Sequence, residues 1–310
     1  MRTLICGSIA YDTIMVFRDY FKNHILPDQI HILNVSFLVP DMRREFGGCA
    51  GNIAYSLNML GGDPLIMATV GEDCQPYAYR MEKLRLSQAH VRQVASAFTA
   101  QAFITTDLDD NQITAFHPGA MNHSHLNQVA AAPGALVGIF APDGRRGLLE
   151  HAAQFAAAGI PFIFDPGQGL PMFNGEELRA LVDSAAWVAV NDYEGSMLTE
   201  RTGWSLADIA ARVRALIVTR GGEGSWIFAD GTRHEIPVAR AVRVADPTGC
   251  GDAYRAGLLF GLQRGLDWPT TGRIASLAGA MKIESHGTQQ HRYDGAQFAA
   301  RFRDSFGTAL

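Results

Sequence analysis

The chain has 310 residues, of which 47% are apolar and 18% charged, with a formal net charge of −5. This is a globular composition without disordered or fibrous character. The acidic balance speaks against general binding to nucleic acid or anionic membrane, which relies on summed positive charge, so any phosphate has to be held locally. At roughly 150 residues per domain, the length suits two domains or one large α/β domain with an appendage.

The first strand-like run, "TLICGSI" (3–9), follows the initial Met directly, without the long apolar region and cleavage site of a secretory signal. Further short apolar runs are "PLIMATVG" (64–71), "ALVGIFAP" (135–142), "PFIFDPG" (161–167), "WVAVND" (187–192) and "LIVTRGG" (216–222). Each reads as a buried strand ending in turn or polar residues. Between them, "GNIAYSLNMLGG" (51–62), "RGLLEHAAQFAAAG" (146–159) and "SLADIAARVRAL" (205–216) carry apolar residues at helical spacing. This alternation predicts βαβ units around a mostly parallel sheet.

Two stretches break the rhythm: 31–46, "HILNVSFLVPDMRREF", and 101–119, "QAFITTDLDDNQITAFHPG". In the second, two alternating runs flank a short polar turn, which is a hairpin pattern. Together they predict a small sheet projecting from the main body, with edge strands of the main sheet as the alternative. A further hairpin, "SWIFADGTRHEIP" (225–237), turns at Asp230 and Gly231. The stretch from Asn111 to Pro142 is free of Lys, Arg, Asp and Glu but is broken by prolines and glycines, so it is not a membrane span. Cys6, Cys49, Cys74 and Cys250 form no CxxC pair, and a reducing cytoplasm is the expected setting.

The most informative stretch is "DPTGCGDAYRAG" (246–257). Gly249 and Gly251 let the backbone approach a ligand closely, and the helix that follows offers unpaired N–H groups and a positive dipole end. That is an anion site. Walker A is excluded because no lysine follows a glycine, and the dinucleotide fingerprint fails at Tyr254. A carboxylate beside bound phosphate would repel it unless its task is to take a proton from the attacking hydroxyl, which is the role expected of Asp252. The N–H groups of Gly249, Cys250 and Gly251 would then stabilise charge on the transferring group. On the pattern alone, Asp252 capping its own helix is an equal alternative.

"DPTGCGDAYRAG" resembles the DTxGAGDxFxxG signature of the ribokinase-like carbohydrate kinases, and "FGGCAGNIAYSLNMLGG" (46–62) resembles their glycine-rich signature with an Asn and a helix. Both stand in the family's order, and the resemblance covers essentially the whole chain. "GSIAYD", "HILPDQI", "DPGQGLP" and "NDYE" look most like the bacterial nucleoside kinases of adenosine-kinase type. The resemblance implies an α/β three-layer sandwich, with a mostly parallel central sheet and a small β-sheet lid. The core is expected over 1–12, 47–94 and 119–310, and the lid over 13–46 and 95–118. The implied activity is transfer of the γ-phosphoryl of ATP to the 5′-hydroxyl of a purine nucleoside. The alternatives are a sugar kinase of the same family or a non-catalytic nucleoside-binding protein.

Carried onto this sequence, the resemblance implies that Asp12, just past the first strand, accepts hydrogen bonds from two ribose hydroxyls. Gly47, Gly48 and Asn52 would face the same sugar, and Phe116 and His117 would cover the base. The bland readings are a loop acid at 12, a tight turn capped by Asn52, and packing at 116. Asn191 and Glu194 would organise Mg²⁺ around the triphosphate, Glu194 through water, although a surface acid at a helix start has the same pattern. Thr219, Gly221 and Gly224 match the nucleotide-proximal element, with Arg220 pairing either phosphate or a surface acid. Asp246 and Thr248 resemble positions that hold K⁺, helped by backbone oxygens near "ESHGTQQ". Asp165 and Gln168, at a strand end, are expected to face the cleft and contact substrate or phosphate. Cys250 at a helix start has no His and acid pair beside it for thiol catalysis. A homodimer through the lid is also expected.

Overall fold

A computed structural model describes residues 2–25, 32, 34–109 and 111–310. Part of the expected lid segment, residues 26–31 and 33, including most of "HILPDQI", lies outside the described residues, as does Asp110 in the hairpin turn.

The chain runs β1 (Arg2–Cys6), β2 (Ala10–Val16), β3 (Asp41–Gly47), α1 (Cys49–Met59), β4 (Asp63–Val70), α2 (Gln75–Lys83) and β5 (Ser87–Gln93). It continues through β6 (Ala100–Thr106), β7 (Gln112–His117), β8 (Ala135–Phe140), α3 (Arg145–Ala158), β9 (Phe162–Phe164) and α4 (Gly175–Ser184). The remainder is β10 (Trp187–Asn191), α5 (Asp192–Thr202), α6 (Leu206–Ala210), β11 (Ala215–Thr219), β12 (Ser225–Ala229), β13 (Thr232–Ile236), α7 (Cys250–Gln263), α8 (Trp268–Ile283) and α9 (Gly295–Phe306).

Nine strands form one sheet in the order β13-β12-β11-β10-β9-β8-β1-β4-β5. It is parallel from β5 to β11, and the β12–β13 hairpin closes one edge antiparallel. That hairpin turns at Asp230 and Gly231, both at positive φ (51° and 71°), which is the backbone twist a two-residue turn demands. Apart from the polar edge strand β5, the parallel strands are largely apolar on both faces, as buried strands must be. Ile5, Ile139, Ala189 and Ile217 pack into one core with Leu57, Leu258 and Leu277 of α1, α7 and α8. Leu4, Phe140, Val188 and Leu216 pack into a second with Phe155, Leu181 and Leu198 of α3, α4 and α5. Helices therefore cover both faces, giving the expected three layers. Each such Leu, Ile or Phe side chain withdrawn from water contributes roughly 1.5–3 kcal/mol.

A second sheet has the order β3-β2-β6-β7. The predicted 101–119 hairpin is present, with Ala102 opposite Phe116 and Thr106 opposite Gln112. Among the described residues of the 31–46 stretch, the strand begins at Asp41, as part of Asp41–Gly47. β2 follows β1 after only three residues, so Asp12 lies within a strand of the small sheet and not in a loop after β1. It stands opposite Glu45 on β3 and Ala102 on β6. The helix expected over 205–216 stops at Ala210, because Ala215 and Leu216 already pair with Trp187 and Val188 in the sheet.

Candidate active site

The carboxyl ends of the parallel strands and one side of the small sheet enclose a cavity of about 1050 Å³. Open parallel sheets keep their ligands at this end. A single small-molecule site is roughly 300–1,000 Å³, so there is room for two adjoining substrates. Asp12 and Phe116 line it from the small sheet, and Asn191, Thr219 and Gly221 from the ends of β10 and β11. β1 and β11 lie four strands apart, roughly 19 Å at ordinary strand spacing. Gly249, Gly251, Asp252 and Asp165 also line the cavity, Asp165 directly after β9 in the middle of that span.

Helix α7 starts at Cys250, with Gly249 before it in the left-handed region at φ 80° and no side chain capping it. Asp252 is therefore not its cap. Its Oδ2 accepts a 2.8 Å hydrogen bond from Asn52 Nδ2. Asn52 Oδ1 accepts from Gln289 Nε2 at 3.1 Å, and that same amide donates to Tyr77 Oη at 2.7 Å. Tyr77 Oη in turn donates to the Gly47 carbonyl at 2.8 Å. Asn52 does not cap α1, whose N-cap is Gly48; it lines the cavity, with its side chain bonded to Asp252 on one end and Gln289 on the other. Burial raises the Asp252 carboxyl to about 7, with the Asn52 hydrogen bond opposing it and Asp165 adding to it.

Gly47 is glycine because of Asp12: a Cβ there would lie 2.5 Å from Asp12 Oδ2. Gly48, at φ 84°, passes so close to Ser8 and Ala10 that a Cβ would meet their backbone within 2.6 Å. Burial, then Glu45 and Asp246, lift the Asp12 carboxyl to about 6.

At the other end, Asn191 and Glu194 form a reciprocal capping box on α5. Glu194 N–H donates to Asn191 Oδ1 at 2.7 Å, and Asn191 N–H donates to Glu194 Oε2 at 2.8 Å. Glu194 is nonetheless no surface acid, since its side chain is 15% exposed and burial raises its carboxyl above the usual range. Arg255 donates to both oxygens of Asp165 at 3.1 Å and stands 3.9 Å from Glu194. Among the described residues no three His, Cys, Asp or Glu side chains converge to hold a metal by themselves. Magnesium bound with phosphates needs only one or two carboxylates and keeps several waters, so Glu194, with Oε1 outside the capping bonds, fits that demand.

Thr219 and Gly221 line the cavity, whereas Gly224 does not. At φ 83°, its glycine serves the tight approach of the turn to Ile236 O. Arg220 pairs with Glu223, the surface acid of the two expected partners, and lies 4.1 Å over the Trp226 ring. His117 also departs from expectation. Successive strand residues alternate faces, so with Phe116 on the cavity side His117 points to the opposite face, where Gln101 is its cross-strand neighbour. Burial pushes the Cys250 thiol up to about 11, which disfavours a thiolate.

Asp246 and Thr248, expected around a monovalent cation, stand among hydrogen bonds within the protein, and Thr248 also lines the cavity. Asp246 Oδ1 accepts from Thr248 N–H and Oδ2 from Gly287 N–H, both at 2.9 Å. The Asp246 carbonyl accepts a 2.7 Å hydrogen bond from the ammonium of Lys282, a fully buried side chain.

Comparison with known proteins bears on this geometry directly. Residues 11–293 match the family described as pfkB family carbohydrate kinase. The chain belongs to that family. As a pfkB-family kinase it transfers a phosphoryl group to an alcohol. It is similar to the nucleoside kinase of Burkholderia thailandensis solved in complex with inosine, at 54% identity and a TM-score of 0.91, with 99% of each chain covered. It is 32% identical to a nucleoside kinase of Methanocaldococcus jannaschii, over 83% of this chain and 85% of that one. A ribokinase of Thermotoga maritima, 18% identical with a TM-score of 0.80 over 97% and 99% of the two chains, shares the fold.

Arg255, Lys282, Gln289 and Tyr77, all used in this pfkB-family site, were not singled out in the sequence. Arg255 had a signal, a lone charge on the apolar face of α7. Lys282 had a similar one, at the end of the apolar helix α8. Gln289 had none, because only the fold brings it to Asn52, 237 positions away.

Proposed function

We propose that the protein is an ATP-dependent nucleoside kinase that phosphorylates the 5′-hydroxyl of a purine nucleoside such as inosine or adenosine. The observation that carries this reading is a carboxylate, Asp252, held by Asn52 inside a cavity with room for two substrates. The 54% identical Burkholderia enzyme, solved with inosine and in a complex with ADP and inosine, supports the choice of substrate.

In this reading the nucleoside lies against the small sheet, its ribose hydroxyls donating to Asp12 and its base against Phe116. ATP lies toward Asn191, Thr219 and Gly221. The 5′-oxygen attacks the γ-phosphorus, the new O–P bond forms as the bond to the β-phosphate oxygen breaks, and ADP departs. Asp252 takes the 5′-hydroxyl proton, and a carboxyl near neutrality is suited to that. The Gly249–Gly251 backbone at the start of α7 holds charge on the transferring group. Mg²⁺, when bound, neutralises phosphate charge, and Glu194 would hold it through water. The sheet of β2, β3, β6 and β7 acts as a lid that keeps water from accepting the phosphoryl group. The four free cysteines support a reducing compartment, the cytoplasm, where ATP is also available.

The deciding experiment is transfer of labelled γ-phosphate from ATP to a panel of nucleosides and free sugars. Labelled nucleoside 5′-monophosphate is the expected product. Preferred labelling of a sugar would assign the site to a sugar kinase, and nucleoside binding without ADP release would make it a binding protein.

A further inference from the structure

Lys282 stands near the end of α8 with its side chain 0% exposed. Its Nζ donates to the carbonyl oxygens of Asp246 at 2.7 Å and Ser285 at 3.3 Å, and it lies 4.0 Å from Asp246 Oδ2. These are neighbours a small monovalent cation would seek: two backbone carbonyls, a carboxylate and the negative end of a helix. An ammonium is a compact unit charge with three donors, and here it is already in place. A potassium ion set against the Asp246 and Ser285 carbonyls would collide with Nζ and would add a second positive charge beside the first.

The lysine also holds structure that matters to the site. Asp246 orders the segment entering α7, binding Thr248 N–H on one oxygen and Gly287 N–H on the other. Thr288, next to Gly287, packs against Gly249 so tightly that a Cβ there would sit 3.0 Å from it. Lys282 thus ties the end of α8 and the 285–288 turn to the glycine loop that starts α7.

We propose that Lys282 is a tethered cation for this loop, so that phosphoryl transfer by this chain runs without K⁺. It is a positioning residue, acting through the Asp246 and Ser285 carbonyls and not by touching substrate. The proposal rests on the kinase reading for its rate assay and on the carbonyl geometry for its binding assay.

The test has two arms. In the first, transfer from ATP to inosine is followed while K⁺ replaces choline at constant ionic strength. The unaltered protein should give a flat response, and several-fold activation by K⁺ would overturn the proposal. Lys282→Ala should lose turnover by on the order of 10- to 100-fold, with the nucleoside KM little changed, and should recover when K⁺ or methylammonium fills the space. A folded variant with undiminished turnover in choline would also count against it. In the second arm, crystals soaked in Rb⁺ are examined for anomalous scattering beside the Asp246 carbonyl. None is expected in the unaltered protein, and a peak there refutes the tethered cation whether or not the variant folds. Should the protein phosphorylate no nucleoside in any salt, the kinase reading falls while the Rb⁺ result still decides the role of Lys282.

Discussion

Asn52 and Asp252, 200 residues apart in sequence, are joined by a 2.8 Å hydrogen bond from the amide of one to the carboxylate of the other. The bond fixes Asp252 Oδ2 and leaves Oδ1 free of Asn52. Replacing Asp252 by Asn keeps the shape and removes the proton acceptor. Asp252→Asn should lower kcat by on the order of 10²- to 10⁴-fold, while the nucleoside Kd stays near that of the unaltered protein. Calorimetric binding beside steady-state rates separates the two effects, and near-normal turnover would remove Asp252 as the base.

The same carboxyl sets a pH dependence. Asp252 has to be ionised to accept a proton, so kcat/KM should rise with pH through about 7. Its stability effect has the opposite sense. A carboxyl whose folded value lies above the unfolded 3.8 favours the folded state fully below 3.8, and this contribution is lost as pH rises through about 7. Asp12, at about 6, and the buried Asp143, at about 8, act in the same direction. Together these carboxyls act to lower stability between about pH 4 and 8, opposed below about 6.5 by the buried His291, which is lowered to about 4, and Asp252→Asn should reduce the loss in thermal unfolding.

The parallel sheet was legible because buried parallel strands are continuous apolar runs, and each of the six runs from "TLICGSI" to "LIVTRGG" contributes a strand. The loop before α7 was legible for a related reason: two glycines and an acid at a helix start have few uses. What escaped depends on contacts far apart in sequence. β2 was missed because it follows β1 after only three residues, and His117 was misassigned because strand parity fixes its face only once the hairpin register is known. The K⁺ expectation took Asp246 and Thr248 from a local motif, whereas the ammonium at that place comes from a helix 36 positions later.

Arg255 is the cation on which the acidic part of the cavity depends. It is 5% exposed and binds Asp165, itself 4% exposed, through two 3.1 Å hydrogen bonds. Removing one partner of a buried pair leaves the other charged and unpaired, which typically costs about 3–5 kcal/mol. Arg255→Met should be destabilised by about that amount in denaturant unfolding. Arg255 also lowers the Asp252 carboxyl, so any active fraction of the variant should have its acid limb moved to higher pH. Stability within about 1 kcal/mol of the unaltered protein would show that Asp165 finds another partner.

The small sheet carries a further expectation. Its outer face, opposite Asp12 and Phe116, presents Met42, Phe103 and Ile113, 70%, 41% and 43% exposed. The edge strand β7 is exposed along all six residues. Apolar side chains grouped beside an unpaired strand edge favour association, and a second copy of the chain offers the same surface in return. The protein should sediment as a dimer, and Phe103→Asp combined with Ile113→Lys should shift it to monomer without unfolding the main sheet. A monomer at every concentration tested would mean that the sheet closes over the cavity without help from a partner.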